Sequence, residues 1–306
     1  MSGLLGAILR VFLIVRYKKV WITLLAIGVP LFLYLAFFAK EPVFSAENDV
    51  ELGRMSAMEI ADDPEKFPLL PEEEYAKAYA HLKRIVASVA SSPEIQYRDL
   101  FAYDQVRIIN DDDTLNAFCT PGGFVYVYSG LIKYLDAEDH LAGVLGHEIA
   151  HAEMRHSATR LQKNFGAEAL LKFIILSTPV GITDVVHAQI LGDLMNLSYS
   201  RGQEAQSDEY SVRYLSTGPY ACDGAAGFFA KALEKGDDVR IPEFLSDHPD
   251  SGARVEAIRA KARELGCRTT LGDQSRWKAL QSALPRADGS GAEETAEAAD
   301  QGGSAS

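Results

Sequence analysis

Only three cysteines occur in the 306 residues, Cys119, Cys222 and Cys267. They are too few for a disulfide-built mini-domain or a four-thiolate zinc site, so any metal must find other ligands. Basic residues are also scarce: 30 Lys and Arg stand against 43 Asp and Glu, a formal charge of −13 at neutral pH. Affinity for nucleic acid rests largely on Lys and Arg at phosphates, so nucleic acid is not an expected partner. No segment repeats at the period of about 20–50 residues that marks a solenoid. Beyond residue 40 there is no charge-free run long enough to span a bilayer. The apolar stretch at 165–197 is interrupted by Lys172 and Pro179 and reads as a buried or membrane-facing helical hairpin. What is present is ordinary for a folded protein, with 47% hydrophobic and 24% charged residues.

One long apolar run does occur, at 20–39 (VWITLLAIGVPLFLYLAFFA), and it carries no charge. Twenty residues at about 1.5 Å each match a hydrocarbon core of about 30 Å. Arg10, Arg16, Lys18 and Lys19 precede it, whereas Glu41, Glu47, Asp49 and Glu51 follow. The positive-inside rule therefore keeps residues 1–19 as a cytoplasmic basic leader and sends everything after 40 across the membrane. A cleaved signal peptide is the rival reading, but leader and apolar run are both long for one. Residues 40–70 are polar and broken by Pro42, Pro64 and Pro68, a tether with a short helix near Val50–Ile60. The residues from 285 to 306 have almost no large apolar side chain and read as a disordered acidic tail. A single domain is left at 71–284.

Within it, Tyr75, Ala78, Tyr79, Leu82, Ile85, Val86 and Val89 recur at helical steps. Val106–Asn110 and Phe124–Tyr128 read as strands, the second following Pro121-Gly122-Gly123. A helix starts near Asp136 and runs through Leu141, Val144, Leu145 and Ile149. Further helical patterns cover Ser200–Leu215, Gly224–Lys235 and Ser251–Leu265.

The helix after Asp136 carries His147-Glu148-Ile149-Ala150-His151, an H-E-x-x-H. At this spacing two imidazoles share one helix face and can grip one Zn²⁺, with the glutamate beside them facing the metal's water. Gly143-Val144-Leu145-Gly146 before it and Ala150 within it are small and apolar, which favours burial. A catalytic zinc needs a third protein ligand. The residues after His151 (Ala-Glu-Met-Arg-His) lack the glycine turn of the H-E-x-x-H-x-x-G-x-x-H enzymes. His156, about 140° around a continued helix from His151, reads as a surface histidine. Glu204-Ala205-Gln206-Ser207-Asp208, beginning 53 positions after His151, supplies E-x-x-x-D. Glu204 and Asp208 then face the same way, the first able to bind metal and the second to accept the N–H of a ligand histidine.

Four blocks in this order resemble the zinc endopeptidases of the HtpX and CAAX prenyl protease type 1 kind, in particular their membrane-anchored extracytoplasmic branch. They are Asn116-Ala117-Phe118-Cys119-Thr120-Pro121-Gly122-Gly123 with Ser129-Gly130-Leu131-Ile132, the H-E-x-x-H helix, Ser200-Arg201-Gly202-Gln203-Glu204 with Asp208, and His248-Pro249 with Arg254. The likeness covers roughly residues 50–265. It implies an α+β, predominantly helical zincin of the gluzincin type with a small β-sheet, joined here to one N-terminal transmembrane helix. It further implies one Zn²⁺ held by His147, His151 and Glu204, with Glu148 as catalytic base. Asp208 orients His147, or alternatively His151. The strand Phe124–Tyr128 is expected to be the edge on which an extended substrate pairs, so Gly123, Phe124, Val125 and Tyr126 are the candidate substrate contacts; Asn116 either shapes the cleft beside them or caps a turn after Asp111-Asp112-Asp113. His248 is expected as a second catalytic residue that stabilises the oxyanion during turnover, with capping of the zinc at rest as the alternative. The implied partners are unfolded or misfolded proteins of the envelope, met at the periplasmic face of the inner membrane. A proteolytically weak chaperone using the same cleft and a zinc hydrolase of a non-peptide substrate are the alternatives. In such an oxidising compartment Cys222 and Cys267 could pair, two buried free thiols being the other reading.

Overall fold

In the computed structural model of the chain, the described residues are 45–161, 198–234 and 251–285, with isolated positions besides that include Phe244 and His248. The apolar run at 20–39, the stretch at 165–197 and the tail after 285 lie outside them, apart from scattered positions. No helix among the described residues is long and apolar enough to cross a membrane.

The described elements in chain order are α1 (Ala46–Asp62), α2 (Ala76–Ala90), β1 (Val106–Ile109), β2 (Ala117–Cys119), β3 (Val125–Tyr128), α3 (Ser129–Tyr134), α4 (Glu138–Glu153), α5 (Arg201–Leu215), α6 (Gly224–Glu234), α7 (Ser251–Leu265) and α8 (Ser275–Ser282). The result is a mostly helical fold with a small mixed sheet. The apolar stripe of α2 is interior, since Ala78, Tyr79, Leu82, Ile85, Val86 and Val89 are all buried.

The helix α4 lies at the centre and packs against α2, α5, α6 and β2. Its middle is small and apolar, which lets neighbouring backbones approach. A Cβ on Gly143 would stand 1.9 Å from the Ala225 nitrogen of α6, so no larger residue fits there. The Ser211 hydroxyl of α5 donates to the Gly143 carbonyl at 2.8 Å and fixes the crossing of α4 and α5. The carboxylate of Asp139 is turned inward and accepts from the backbone N–H groups of Ala221 (2.7 Å) and Gly272 (3.1 Å). The first turn of α4 thereby holds two loops in place.

The sheet order is β1-β3-β2, with β1 parallel and β2 antiparallel to β3. This corrects the expectation that Phe124–Tyr128 is the edge strand. Val125 and Tyr126 face Val106 and Arg107 on one side and Cys119 and Phe118 on the other, so the central strand has no free main-chain side. Gly123 is buried at φ 90° in the β2–β3 turn, and Phe124 and Tyr126 pack with Ile60, Phe67 and Tyr128. Val125 and Tyr126 lie in the sheet, and Gly123 and Phe124 in the turn that leads into it. The strand whose outer side carries no ladder among the described residues is β2, which lies on α4. Asn116 precedes it and is buried, its Oδ1 accepting from the Ala117 N–H at 2.8 Å.

Cys222 and Cys267 form a disulfide, 6.2 Å between Cα atoms, that ties the start of α6 to the end of α7. Cys119 is free and buried. Cross-linking residues 45 apart in sequence removes about 4 kcal/mol of chain entropy from the unfolded state. We therefore expect the Cys222→Ser/Cys267→Ser double variant to unfold with about that loss of stability. Non-reducing peptide mapping should find these two cysteines linked, with Cys119 alkylated only after unfolding.

Candidate metal centre

Positions 147, 148 and 151 lie in the last two turns of α4, and all three side chains are buried. Opposite them, α5 starts with a reciprocal cap: Ser200 Oγ accepts from the Gln203 N–H at 3.3 Å, and Gln203 Oε1 accepts from the Ser200 N–H at 3.0 Å. This cap puts Glu204 in the first turn, where the positive end of the helix favours a carboxylate, and Asp208 one turn later on the same face. Both are buried. His248 reaches the same place from the segment before α7 and is also buried, its ring stacked on Phe244 with centroids 4.4 Å apart.

Side-chain atoms of His147, His151, Glu204 and His248 all lie within 4.8 Å of one another. The Nε2 atom of His147 is 3.0 Å from His151 Nε2, 3.2 Å from His248 Nδ1 and 3.4 Å from Glu204 Oε2. Glu204 Oε1 is 3.6 Å from His151 Nε2 and 2.9 Å from His248 Nδ1. Four donors placed tetrahedrally around zinc at its usual ligand distances are about 3.3–3.6 Å apart. Three imidazoles and a carboxylate, buried and spaced in this way, fit one zinc ion.

Beside the donors, Asp208 Oδ1 is 2.9 Å from His147 Nδ1, which leaves His147 Nε2 facing the cluster. Of the two alternatives read from the sequence, the described contacts pair Asp208 with His147. The opposite oxygen of Asp208 accepts from Arg254 Nε at 2.7 Å, while Arg254 Nη2 donates to Oδ1 at 2.7 Å. Arg254 Nη1 donates to the His248 carbonyl at 3.0 Å and lies 3.0 Å from Glu204 Oε2. Its guanidinium sits 4.2 Å over the Phe229 ring. A single arginine from α7 thus holds the two buried carboxylates of α5, Glu204 and Asp208, and the backbone of His248.

Charge in the cluster follows from these contacts. Burial acts to raise both carboxylates, but hydrogen bonds from His147 and His248 hold Glu204 well below the usual range, and those from Arg254 and His147 lower Asp208. Burial acts to lower His147, yet the Asp208 and Glu204 carboxylates outweigh it and raise the ring to about 9. Burial and neighbouring positive charge drive His151 well below its ordinary value, and burial takes His248 and His156 down to about 4. Two ionised carboxylates therefore draw positive charge among ring nitrogens of which most are neutral, the form in which imidazole binds metal.

Three features escaped the sequence reading. Arg254 was visible only as part of a motif. Tyr199 carries no local signal, yet its ring lies 3.9 Å from that of His151. His156 is not at the surface: α4 ends at Glu153, Arg155 takes φ 53° in a two-residue turn before helix resumes at His156, and His156 is buried with its Nδ1 3.0 Å from His151 Nδ1. A non-glycine residue with positive φ leaves no mark in composition or periodicity.

A buried H-E-x-x-H facing a glutamate from a second helix defines a metallopeptidase site. Residues 76–262 match peptidase family M48, more than half of the chain, which therefore belongs to that family. Relatives include metalloprotease LoiP of Escherichia coli K12, 26% identical over 217 residues that make up 69% of this chain and 81% of LoiP. Metalloprotease YcaL of the same organism is 26% identical over 60% of this chain and 69% of its own length. A putative beta-barrel assembly-enhancing protease of Vibrio cholerae is 26% identical over 62% of this chain, a match that spans 44% of that longer protein.

Arg254 is the cation that the buried carboxylates depend on. Removing one member of a buried ion pair costs about 3–5 kcal/mol. We expect Arg254→Gln to lower the unfolding free energy of the metal-free chain by an amount in that range, read in urea as a lower midpoint at unchanged slope. A loss below about 1 kcal/mol would show that other groups compensate for Glu204 and Asp208.

Proposed function

We propose that this chain is a membrane-anchored zinc endopeptidase that hydrolyses peptide bonds of unfolded or misassembled envelope proteins. The observation that carries the peptidase chemistry is the buried donor cluster with Glu148 beside it: the closest approach of Glu148 to His248 is 3.4 Å, between Glu148 Oε1 and His248 Nε2. His147, His151 and Glu204 are the proposed protein ligands, and Asp208 fixes the ring of His147 by accepting from its Nδ1–H. Bound there, zinc supplies a Lewis acid that acidifies water and polarises the scissile carbonyl. Glu148 would be the base that accepts a proton from the attacking water and returns it to the leaving amine. The outer side of β2, lying along α4, replaces Phe124–Tyr128 as the proposed place where an extended substrate pairs main chain to main chain. Asn116 then organises that edge from its first residue.

The compartment rests on two supports. A disulfide between Cys222 and Cys267 belongs in an oxidising environment, and the charge-free run at 20–39 with basic residues before it suits a single-pass anchor in the inner membrane with the peptidase on the periplasmic side. The substrate class rests on the name of the Vibrio cholerae relative, a beta-barrel assembly-enhancing protease. On this reading the domain occupies 71–284, the residues before it tether it to the membrane, and no nucleic acid is bound.

For His248, the position of Nδ1 at 3.2 Å from His147 Nε2 and 2.9 Å from Glu204 Oε1 favours the resting cap over the oxyanion role. In this arrangement His248 completes the donor set and must leave it before a substrate carbonyl can enter.

Glu148→Gln keeps the shape of the side chain but cannot accept a proton. It should lose about 10²–10⁴-fold in casein digestion while holding stoichiometric zinc, whereas Glu204→Ala should lose the zinc itself. Retained turnover in the first or retained metal in the second would remove the assigned role. Replacing His248 with Ala separates its two roles by sign. A cap predicts higher basal activity at saturating zinc, and an oxyanion donor predicts a loss of about 10²–10³-fold.

A further inference from the structure

Of the ligand histidines, His147 has Asp208 behind its Nδ1. The corresponding nitrogen of His151 meets a different group, His156 Nδ1 at 3.0 Å. His156 is buried, and two other contacts define its state. Its Nε2 is 3.2 Å from Gln206 Oε1, an oxygen that can only accept, so Nε2 carries a proton. Its Nδ1 is also approached by the Ser207 hydroxyl at 3.4 Å. With one proton on each ring, one pattern satisfies all three contacts: His151 donates Nδ1–H to His156 Nδ1, Ser207 points its hydroxyl at the same lone pair, and His156 donates Nε2–H to Gln206. In that pattern His151 Nε2 is left unprotonated and directed at the donor cluster.

The geometry that brings His156 there is imposed from outside the helix. Arg155 leaves α4 in the left-handed region, and its guanidinium is gripped by the buried Asp49 of α1, with Nε 2.5 Å from Oδ2 and Nη2 3.1 Å from Oδ1. Arg155 Nη2 also donates to the Ser45 carbonyl at 2.8 Å, at the very start of α1. Tyr199 closes the far side, its ring 6.2 Å from that of His156 and its hydroxyl 2.8 Å from that of Ser157.

We propose that His156 is a positioning residue for the metal centre: a neutral imidazole that accepts from His151 Nδ1–H, fixes the tautomer of that ligand, and is itself held by the Arg155 turn and by Gln206. This deepens the zinc reading above and rests on His151 being a ligand. Groups that orient a ligand histidine in this way typically contribute about 10–100-fold in metal affinity.

The test uses the full-length chain and reads zinc affinity by competition with a chromophoric chelator. His156→Leu should bind zinc about 10–100-fold more weakly. His156→Asn, whose Oδ1 can take the place of Nδ1 as acceptor, should recover to within about threefold of wild type. A merely structural role would move thermal stability in both variants without this recovery of affinity. Unchanged affinity in His156→Leu, or equal losses in both variants, would overturn the proposal. His151→Ala is the companion measurement: if it keeps zinc, the ligand reading itself has failed, whereas loss of zinc there with none in His156→Leu rejects only the role of His156. Should His156→Leu fail to fold, ¹⁵N-histidine spectra of the zinc-loaded wild type decide. His156 must appear as the Nε2–H tautomer with an unprotonated Nδ1, and the opposite tautomer would overturn the proposal.

Discussion

Two carboxylates one turn apart on α5 are buried against two imidazoles one turn apart on α4, and the rest of the molecule is arranged around making that tolerable. An ionised carboxylate taken out of water costs several kcal/mol unless charge and hydrogen bonds meet it. Glu204 and Asp208 meet Arg254 from α7 and His147 from α4, so α4, α5 and α7 are bound by charge as well as by apolar contact. The absence of a side chain at Gly143 lets α6 close onto α4, and the disulfide fastens the start of α6 to the end of the helix that carries Arg254. The same charges give the site its chemistry. Negative groups that fold requires to be compensated are also groups that favour a cation among the ring nitrogens.

Aromatic side chains complete the enclosure. Phe244 stacks on His248, Tyr199 lies against His151, and Phe229 receives the guanidinium of Arg254. Low local dielectric strengthens each of these polar contacts and makes an incomplete set expensive. For this reason Arg254 and Asp208, which touch no other donor than His147, His248 and Glu204 in the contacts described above, are as much part of the centre as the donors themselves.

What the sequence made legible was whatever repeats with a local period. H-E-x-x-H and E-x-x-x-D each place side chains on one helix face, and α5, α6 and α7 lie where apolar periodicity and capping residues put them. Strand order has no such signature. Phe124–Tyr128 was recognisable as a strand, but its central place follows from the pairing of β1 on one side and β2 on the other, and β2 is only three residues long. His156 was misplaced for a related reason. The residues after His151 include no glycine, so an unbroken helix is the natural reading, yet Arg155 interrupts it at φ 53° while Asp49, more than a hundred positions earlier, holds its guanidinium. Arg254 likewise acts across the fold, on carboxylates 46 and more positions away. Long-range compensation of buried charge is the part of this centre that local pattern cannot encode.

The central claim is that one zinc ion sits between α4 and α5. Anomalous scattering recorded on either side of the zinc absorption edge, from crystals of the full-length chain grown with zinc, tests it without recourse to activity. One strong peak is expected at bonding distance, about 2.0–2.2 Å, from His147 Nε2, His151 Nε2 and a carboxylate oxygen of Glu204. A peak elsewhere, or none at this cluster under saturating zinc, would contradict it.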